Sequence, residues 1–429
     1  MDDRLDFVLF GATGFTGIHC IPYLHKFSKF QGRTFTWGVA GRSESKLKQV
    51  LKKVGKDIGV ALDHIPIIIV DVSCEDELLR MARRAKVVLN CCGPFHYLGE
   101  PVVKACIAAA AHYTDVSAEP YFMEKIQLEY DDAAKKKGVY VVTGSGFDCI
   151  PSDMGIVFLQ QQFEGTLNSV TTYLKVYMGN DFKLMPIVNY TTWASVICVM
   201  GYWNKLKEVR RELFSKKTPI YEPKMKWRTC PHKPSVVDGW AVPFPSADRS
   251  IAHRTQRHFY QVDNKRPIQT DIFLVMPHFL LLMVFYIVIG LLRFFCTFDF
   301  GRNMFLKYPR IFSAGLVTTE PPSKEIVENT CFEITLDGEG WKTKLPKKDD
   351  QYATPCDRRI VGRVSGKDAY ATTSVALVLS AIMMIMEADK MPSSCGVIPP
   401  GAAFAKTSLI KHLMENGLNF EILSRKDLV

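Results

Sequence analysis

No two of the twelve cysteines form a C-x-x-C pair. That spacing is the usual mark of a zinc site or a dithiol redox centre, so neither is expected and no metal is assigned. The cysteines are scattered, several of them inside apolar segments, as reduced thiols facing the cytosol are, rather than a disulfide framework. Arginine-rich blocks and aromatic-interleaved basic stretches are absent too. The net charge of +10 therefore reads as a mildly basic surface, and nucleic acid is not expected as a partner. Internal repeats and low-complexity segments are missing. The opening Met1-Asp2-Asp3-Arg4 has neither a signal peptide's apolar core nor a transit peptide's arginine pattern. The closing residues carry no lipidation or retention signal.

What remains is a chain of 429 residues, 47% hydrophobic and 23% charged, enough for a large core and two or three domains. Its organising stretch is Phe7 to Gly17. Val8, Leu9 and Phe10 form a short apolar run that reads as a buried strand. Gly11, Ala12, Thr13, Gly14, Phe15, Thr16 and Gly17 follow, with a glycine at every third position, and a helical pattern starts at Phe15. A glycine directly after a strand permits a tight turn. One at the helix start lets backbone approach a pyrophosphate, which the helix then holds with unpaired N–H groups and the positive end of its dipole. A third lets helix and strand pack closely. The spacing is G-x-x-G-x-x-G, and the alternative is a strand–turn–helix without ligand.

Strand and helix patterns then alternate to about residue 145. Strands are expected at Asp6–Phe10, Thr34–Ala40, Ile65–Val70, Val87–Cys91, Tyr113–Val116 and Val139–Thr143. Helices are expected from Phe15 to about Lys29, from the N-cap Ser43 to Val54, from the N-cap Ser73 to Ala85, from Pro101 to Ala111, and from about Tyr121 to Lys137. Units of this length imply a parallel, doubly wound, Rossmann-type sheet. Ligands in such sheets sit at the carboxyl ends of the strands. No carboxylate follows strand two, where enzymes using NAD usually carry one. Arg42 stands there instead, suited to gripping a 2′-phosphate, so NADP is expected over NAD; the alternative for Arg42 is a surface charge. Asp71, after strand three, is a candidate for the adenine amino group or a cap beside Ser73. Asn90, Cys91, Gly93 and Pro94, after strand four, are expected against the nicotinamide half, or form an ordinary turn. Asp115, Ser117 and Glu119 are candidates for the cleft or for solvated loop polars. The run Thr143 to Gly155 leaves the nucleotide domain, with Ser152 read as a helix cap and Asp153 in the first turn.

Taken together, Gly11–Gly17, Ala40-Gly41-Arg42, Leu89–Phe95 and Gly146–Asp153 resemble the saccharopine dehydrogenase-like oxidoreductases of animals. Mycobacterial trans-acting enoyl reductases, which serve glycolipid synthesis, share the motif set. Gly396–Phe404 continues the similarity, so it spans the whole chain. The resemblance implies a dinucleotide domain followed by an α/β catalytic-type domain. It does not imply the saccharopine reaction, since no set of basic residues is assignable to that substrate's carboxylates.

The expected class is thus α/β. Residues 1–150 form the doubly wound nucleotide domain. Residues 151–370 form an α+β domain with a mixed or antiparallel sheet, where substrate and any homodimer contact are expected. Residues 371–429 are C-terminal helices packing back on the core. Strand-like runs in the second part are Leu167–Met178, His258–Val262, Cys331–Leu336 and Arg359–Val364. Tyr370–Glu387 reads as a core helix, and Lys406–Gly417 as a final amphipathic one. Ile272 to Leu292 holds 21 residues without Asp, Glu, Lys or Arg, matching a hydrocarbon core of about 30 Å. Basic residues flank it on both sides, which points to one-sided insertion into a membrane or lipid-droplet monolayer. Pro277 and Gly290 are candidate breaks for a hairpin, and a buried helix or a true span are the alternatives. The functional expectation is an NADP-dependent oxidoreductase on a membrane or lipid droplet, facing the cytosol, with a lipid-like or acyl substrate. Asp148 and Tyr97 are the candidate proton sources, with loop organisation the alternative for Asp148. No Tyr-x-x-x-Lys pair falls in the window a short-chain dehydrogenase would use. The alternatives are a nucleotide-binding membrane protein without turnover, and saccharopine dehydrogenase itself.

Overall fold

The computed structural model describes residues 4–428 except 179–187, 220, 227, 245, 314, 316, 319–323, 345, 346 and 353. Strand and helix alternate through the first part: β1 (Leu5–Phe10), α1 (Phe15–Lys26), β2 (Trp37–Gly41), α2 (Glu44–Ile58), β3 (Ile67–Ile69), α3 (Glu75–Arg83), β4 (Ala85–Asn90), α4 (Phe95–Ala108), β5 (His112–Asp115), α5 (Pro120–Lys137), β6 (Tyr140–Val142) and α6 (Ile150–Gln162). The strands pair in parallel in the order β3-β2-β1-β4-β5-β6. Side chains of β1 feed both faces. Phe7 and Leu9 join one buried cluster, Val8 and Phe10 the other. A strand buried on both faces must read as a continuous apolar run, as this one does. The chain travels outward one way from β1 and the other way from β4, which leaves a crevice at their carboxyl ends.

Three local expectations are corrected. Helix α4 starts at Phe95, and Pro101 lies inside it. Its first amides are satisfied from a distant loop: Glu119 accepts from the Phe95 and His96 N–H groups at 3.1 and 2.7 Å. Ser73 is not the cap of α3. Cys74 holds that position, and the Ser73 amide and hydroxyl donate to Asp71. Likewise Ser152 lies within α6, whose N-cap is Cys149. Ser43 does cap α2, accepting from the Lys46 amide at 3.4 Å.

The second part contains β7 (Thr166–Met178), α7 (Tyr190–Gly201), α8 (Trp203–Leu213), β8 (Trp240–Pro243), α9 (Ala247–Gln261), β9 (Gln269–Met276), α10 (Phe279–Cys296), α11 (Asp299–Lys307), β10 (Thr330–Trp341), β11 (Arg358–Lys367), α12 (Ala369–Met386), β12 (Gly396–Val397), α13 (Pro400–Phe404), α14 (Leu409–Glu415) and β13 (Asn419–Asp427). A mixed sheet runs β8-β9-β7-β10-β11-β13, with β9 parallel to β7 and the other neighbours antiparallel. His258–Val262, expected as a strand, is the end of α9 and the residue that caps it. Ile251, Ala252, Thr255 and Phe259 are buried at helical spacing, and that stripe decides the matter.

The uncharged stretch is also two elements. Ile272 to Met276 finish the buried strand β9, Pro277 separates them, and α10 begins at Phe279. Gly290 does not break α10 into a hairpin; the helix runs through it. Because β9 and β10 both pair with β7, the chain enters and leaves the helical excursion through α10 on the same sheet. One crossing of a bilayer would tear that sheet apart. The final part is shared between the two sheets rather than purely helical. β12 extends the parallel sheet beside β6, and β13 closes the edge of the mixed sheet.

Candidate functional site

The glycine turn is built as its spacing requires. Gly11 has φ +82, and a Cβ there would lie 2.9 Å from the backbone of Cys91 and Cys92. At Gly17 a Cβ would lie 2.3 Å from the Gly11 carbonyl oxygen, so only glycine lets α1 sit this close to β1. Gly14 is the N-cap of α1 and has no side chain to occupy the first amides. That leaves a helix N-terminus bare for an anion.

A cavity of about 740 Å³ opens in front of this turn. Of the expected cofactor residues, Gly11, Thr13, Gly14, Phe15, Thr16, Arg42, Cys91, Gly93 and Pro94 line it, and so does Asp148. Ala12 and Gly17 are buried behind the turn. Asn90 is buried as well. It accepts from the Cys92 amide at 2.8 Å and donates to the Tyr113 hydroxyl, so it shapes the loop without facing the cavity. Asp71 also stands off the cavity wall, closing its own turn with Ser73, while its neighbour Val72 lines the space. Arg42 is exposed and draws Asp71 below the ordinary carboxylate range, after the larger effect of the Ser73 hydrogen bonds.

Tyr97 is placed outside. Its hydroxyl lies 3.2 Å from that of Tyr202 on the surface, in a cluster with His96 and Tyr121. The position is set by α4 starting at Phe95, which turns residue 97 away from the strand ends. It is not among the described residues that line this cavity. The one Tyr-x-x-x-Lys pair in the chain, Tyr121 and Lys125, is also remote; Lys125 is paired with Glu100 at 2.6 Å. Asp115, Ser117 and Glu119 point into protein. Asp115 accepts from the Gly144 and Ser117 amides and from the Ser117 and Tyr113 hydroxyls, and the alternate residues Val116 and Ala118 face the cavity.

Asp148 sits on the turn before α6. Its loop is held by Phe147, whose amide donates to the Thr373 hydroxyl at 3.1 Å. The carboxyl is open to the cavity but ringed by protein, and that burial pushes its pKa up to about 6. Facing the same space are side chains that sequence reasoning missed: Thr191, Thr192 and Ser195 of α7, and Tyr370 of α12. The signal for the first three was the Asn189 cap followed by hydroxyls on an otherwise apolar helix. Tyr370 packs edge-on to Phe15 with ring centroids 4.7 Å apart, and its hydroxyl accepts from the Asn189 amide. Behind the site the two distant motifs meet. The Gly401 amide donates to Asp153 at 2.6 Å, and a Cβ on Gly401 would lie 2.5 Å from that same oxygen.

A bare helix N-terminus, a turn too tightly packed for a Cβ at Gly11 or Gly17 and an arginine at the end of β2 fit a dinucleotide, and the cavity beyond holds a titratable carboxyl. Fold and site define an oxidoreductase built on a nicotinamide-nucleotide domain. Residues 7–142 match the family model described as "Saccharopine dehydrogenase NADP binding domain". The chain is 33% identical over 428 residues to the human saccharopine dehydrogenase-like oxidoreductase, covering 98% of each. It is 33% identical to a Caenorhabditis elegans protein named "Lipid droplet localized protein", covering 99% of this chain and 100% of that one. A Mycobacterium tuberculosis protein described as a trans-acting enoyl reductase is 31% identical over 49% of this chain and 48% of its own. Among solved structures, apo saccharopine dehydrogenase (L-Glu forming) from Saccharomyces cerevisiae shares the fold, with TM-score 0.52 and 12% identity over 98% of this chain and 100% of that one. The chain belongs to the saccharopine dehydrogenase-like oxidoreductase family.

Proposed function

We propose that this chain is an NADP(H)-dependent oxidoreductase that rests on a lipid surface through α10 and acts on an apolar, carbonyl-bearing substrate. The observation that carries this reading is the single cavity, which reaches from Gly11 and Arg42 at one end to Phe285, Tyr286 and Ile289 of α10 at the other. Arg42 would hold the 2′-phosphate through its planar fork, and the N-terminus of α1 the pyrophosphate. The nicotinamide, when bound, supplies or takes a hydride. The chain's own task is then the proton. Asp148 would hold it, donating to the substrate's oxygen or α-carbon in reduction and accepting it in oxidation. The hydroxyls of Thr192 and Tyr370 would orient the polar end of the substrate, while that of Ser195 is donated to Glu119 at 2.8 Å.

The exposed apolar face of α10, with Arg293 in its last turn and the exposed Lys307 and Arg310 beyond it, supports a seat on an anionic lipid surface. The name of the nematode relative speaks for the same. A saccharopine-type reaction is disfavoured, because Arg42 is the one Lys, Arg or His among the described lining residues, and the nucleotide would use it. The test is NADPH consumption by the purified full chain with neutral long-chain carbonyl compounds and with amino and keto acids. Turnover confined to the first group supports the proposal. Turnover confined to the acids overturns it, and tight nucleotide binding with no turnover on any of them leaves a nucleotide-binding protein without an oxidoreductase activity.

A further inference from the structure

Helix α10 is both the exposed apolar element and one wall of the cavity. Its inward stripe runs Leu282, Phe285, Ile289, Leu292 and Cys296, one residue per turn of the helix. The stripe is sealed at its ends: Leu282, Leu292 and Cys296 are buried, the last two in a cluster with Trp193, Ile197 and Phe305. It is unsealed in the middle, where Phe285 and Ile289 are half-buried and face the cavity. Two residues on from Phe285, on the opposite side of the helix, Ile287 is 61% exposed. At Gly290 a Cβ would meet nothing within 4 Å. The middle turn is therefore a wall one helix thick, apolar on both sides and thinned by a glycine.

Resting on the lipid-surface reading above, we infer that the middle turn of α10, around Phe285, Tyr286 and Ile289, is the portal through which a substrate's hydrocarbon tail reaches the cavity from the lipid phase. The chemistry of the walls narrows the class of substrate. Beyond Arg42, which lies at the nucleotide end, the described lining offers no cation. It offers the hydroxyls of Thr192 and Tyr370, those of Thr191 and Ser195 being donated to Asn189 and Glu119, and one carboxylate, Asp148. A neutral carbonyl group is accommodated there. A free carboxylate or phosphate would be buried without a counter-charge and beside an acid, which is unfavourable. The substrate is thus a neutral-headed, long-tailed carbonyl lipid, and fatty acids and phospholipids are excluded from the inner end.

The test uses the full chain on phosphatidylcholine–phosphatidylserine vesicles with NADPH and a long-chain methyl ketone carrying a photoactivatable diazirine near its tail. Photolabel is expected on peptides containing Val199 and Phe285. Ile289→Trp, which fills the gap from inside, is expected to cut labelling at Val199 about tenfold while co-flotation with vesicles is unchanged. Phe285→Ala, which widens it, is expected to raise labelling. Unlabelled methyl ketone should displace the probe, and palmitate should do so at least about tenfold less well. Equal labelling of Val199 in wild type and Ile289→Trp overturns the portal, and equal displacement by palmitate overturns the neutral-head assignment. Failure of the wild type to float with vesicles would count against the lipid seat instead. In that case the same probe in detergent micelles tests the portal, with the same two variants and the same two overturning results.

Discussion

Two helices of 18 residues, α10 and α12, are each long and apolar enough to cross a bilayer, with mean hydropathies of 2.5 and 1.9, yet the fold treats them in opposite ways. In α12, 67% is buried; in α10, 17% is. The difference lies in what each can touch. Helix α12 is a mixture of small, hydroxyl and medium apolar residues, and it packs against α1, with the Cys20 thiol 3.5 Å from the Ser374 hydroxyl. The hydroxyls of Thr373 and Ser374 return to carbonyls one turn back, Thr373 to Ala369 at 2.8 Å and Ser374 to Tyr370 at 2.9 Å. Helix α10 carries large side chains almost all round, and α7 covers only a narrow stripe of it. Phe279, Leu280, Ile287, Leu291 and Phe294 are each more than half exposed, and each forgoes on the order of 1 kcal/mol that burial would return. Apolar composition alone therefore does not say whether a helix is core or surface; the pattern of partners does.

A buried charge is the harshest way to break that comparison. Leu377→Asp in α12 replaces a fully buried side chain and is expected to cost more than about 4 kcal/mol in urea unfolding. Ile287→Asp in α10 should change solution stability by less than about 0.5 kcal/mol while abolishing co-flotation with lipid vesicles. Equal destabilisation by the two would mean that α10 is core. At the nucleotide end of the cavity, Arg42→Asp should weaken NADPH binding by about 2–3 kcal/mol in calorimetry and NADH binding much less. An equal loss for both would remove Arg42 from the 2′-phosphate.

Two titrations come next in size. Asp248, at the start of α9, is pushed up to about 8 by burial, with Asp148 and Asp153 nearby adding to the effect. A raised folded-state value means that this group's stabilisation is complete below the unfolded carboxylate pKa and is lost as pH rises through about 8. Asp248→Asn should therefore gain on the order of 1–3 kcal/mol relative to wild type at pH about 9, and the gain should vanish near pH about 4. For Asp148, reduction rates should fall as pH rises through about 6, and Asp148→Asn should flatten that limb. A limb that survives the substitution would assign the proton to another group. The smallest effect concerns Gly290. Alanine there meets open space, so α10 should gain about 0.5–1 kcal/mol in helix propensity.

The parallel sheet and its glycine turn were legible because each rests on local rules. A strand buried on both faces needs an apolar run, and a close helix–strand contact needs Gly17. The cavity was legible only in part. Pro101 signals a helix start, yet α4 begins six residues earlier because Glu119, remote in sequence, satisfies its first amides; that displacement carried Tyr97 out of the site. His-Phe-Tyr at 258–260 has the bulk of a strand but continues the helical stripe of Ile251 and Thr255. Tyr370 reaches Phe15 only because α12 returns to pack on α1. Such long-range contacts leave no trace in a window of neighbouring residues, whereas Gly401, pressed against Asp153, marks one of them with a residue type.

The most direct test of the central claim, that the glycine turn and the exposed apolar helix serve one cavity, is calorimetric titration of the whole chain bound to phosphatidylcholine–phosphatidylserine vesicles with NADPH and with NADH. The account predicts a floating protein that binds NADPH more tightly than NADH. A folded, vesicle-bound protein that binds neither nucleotide would contradict it.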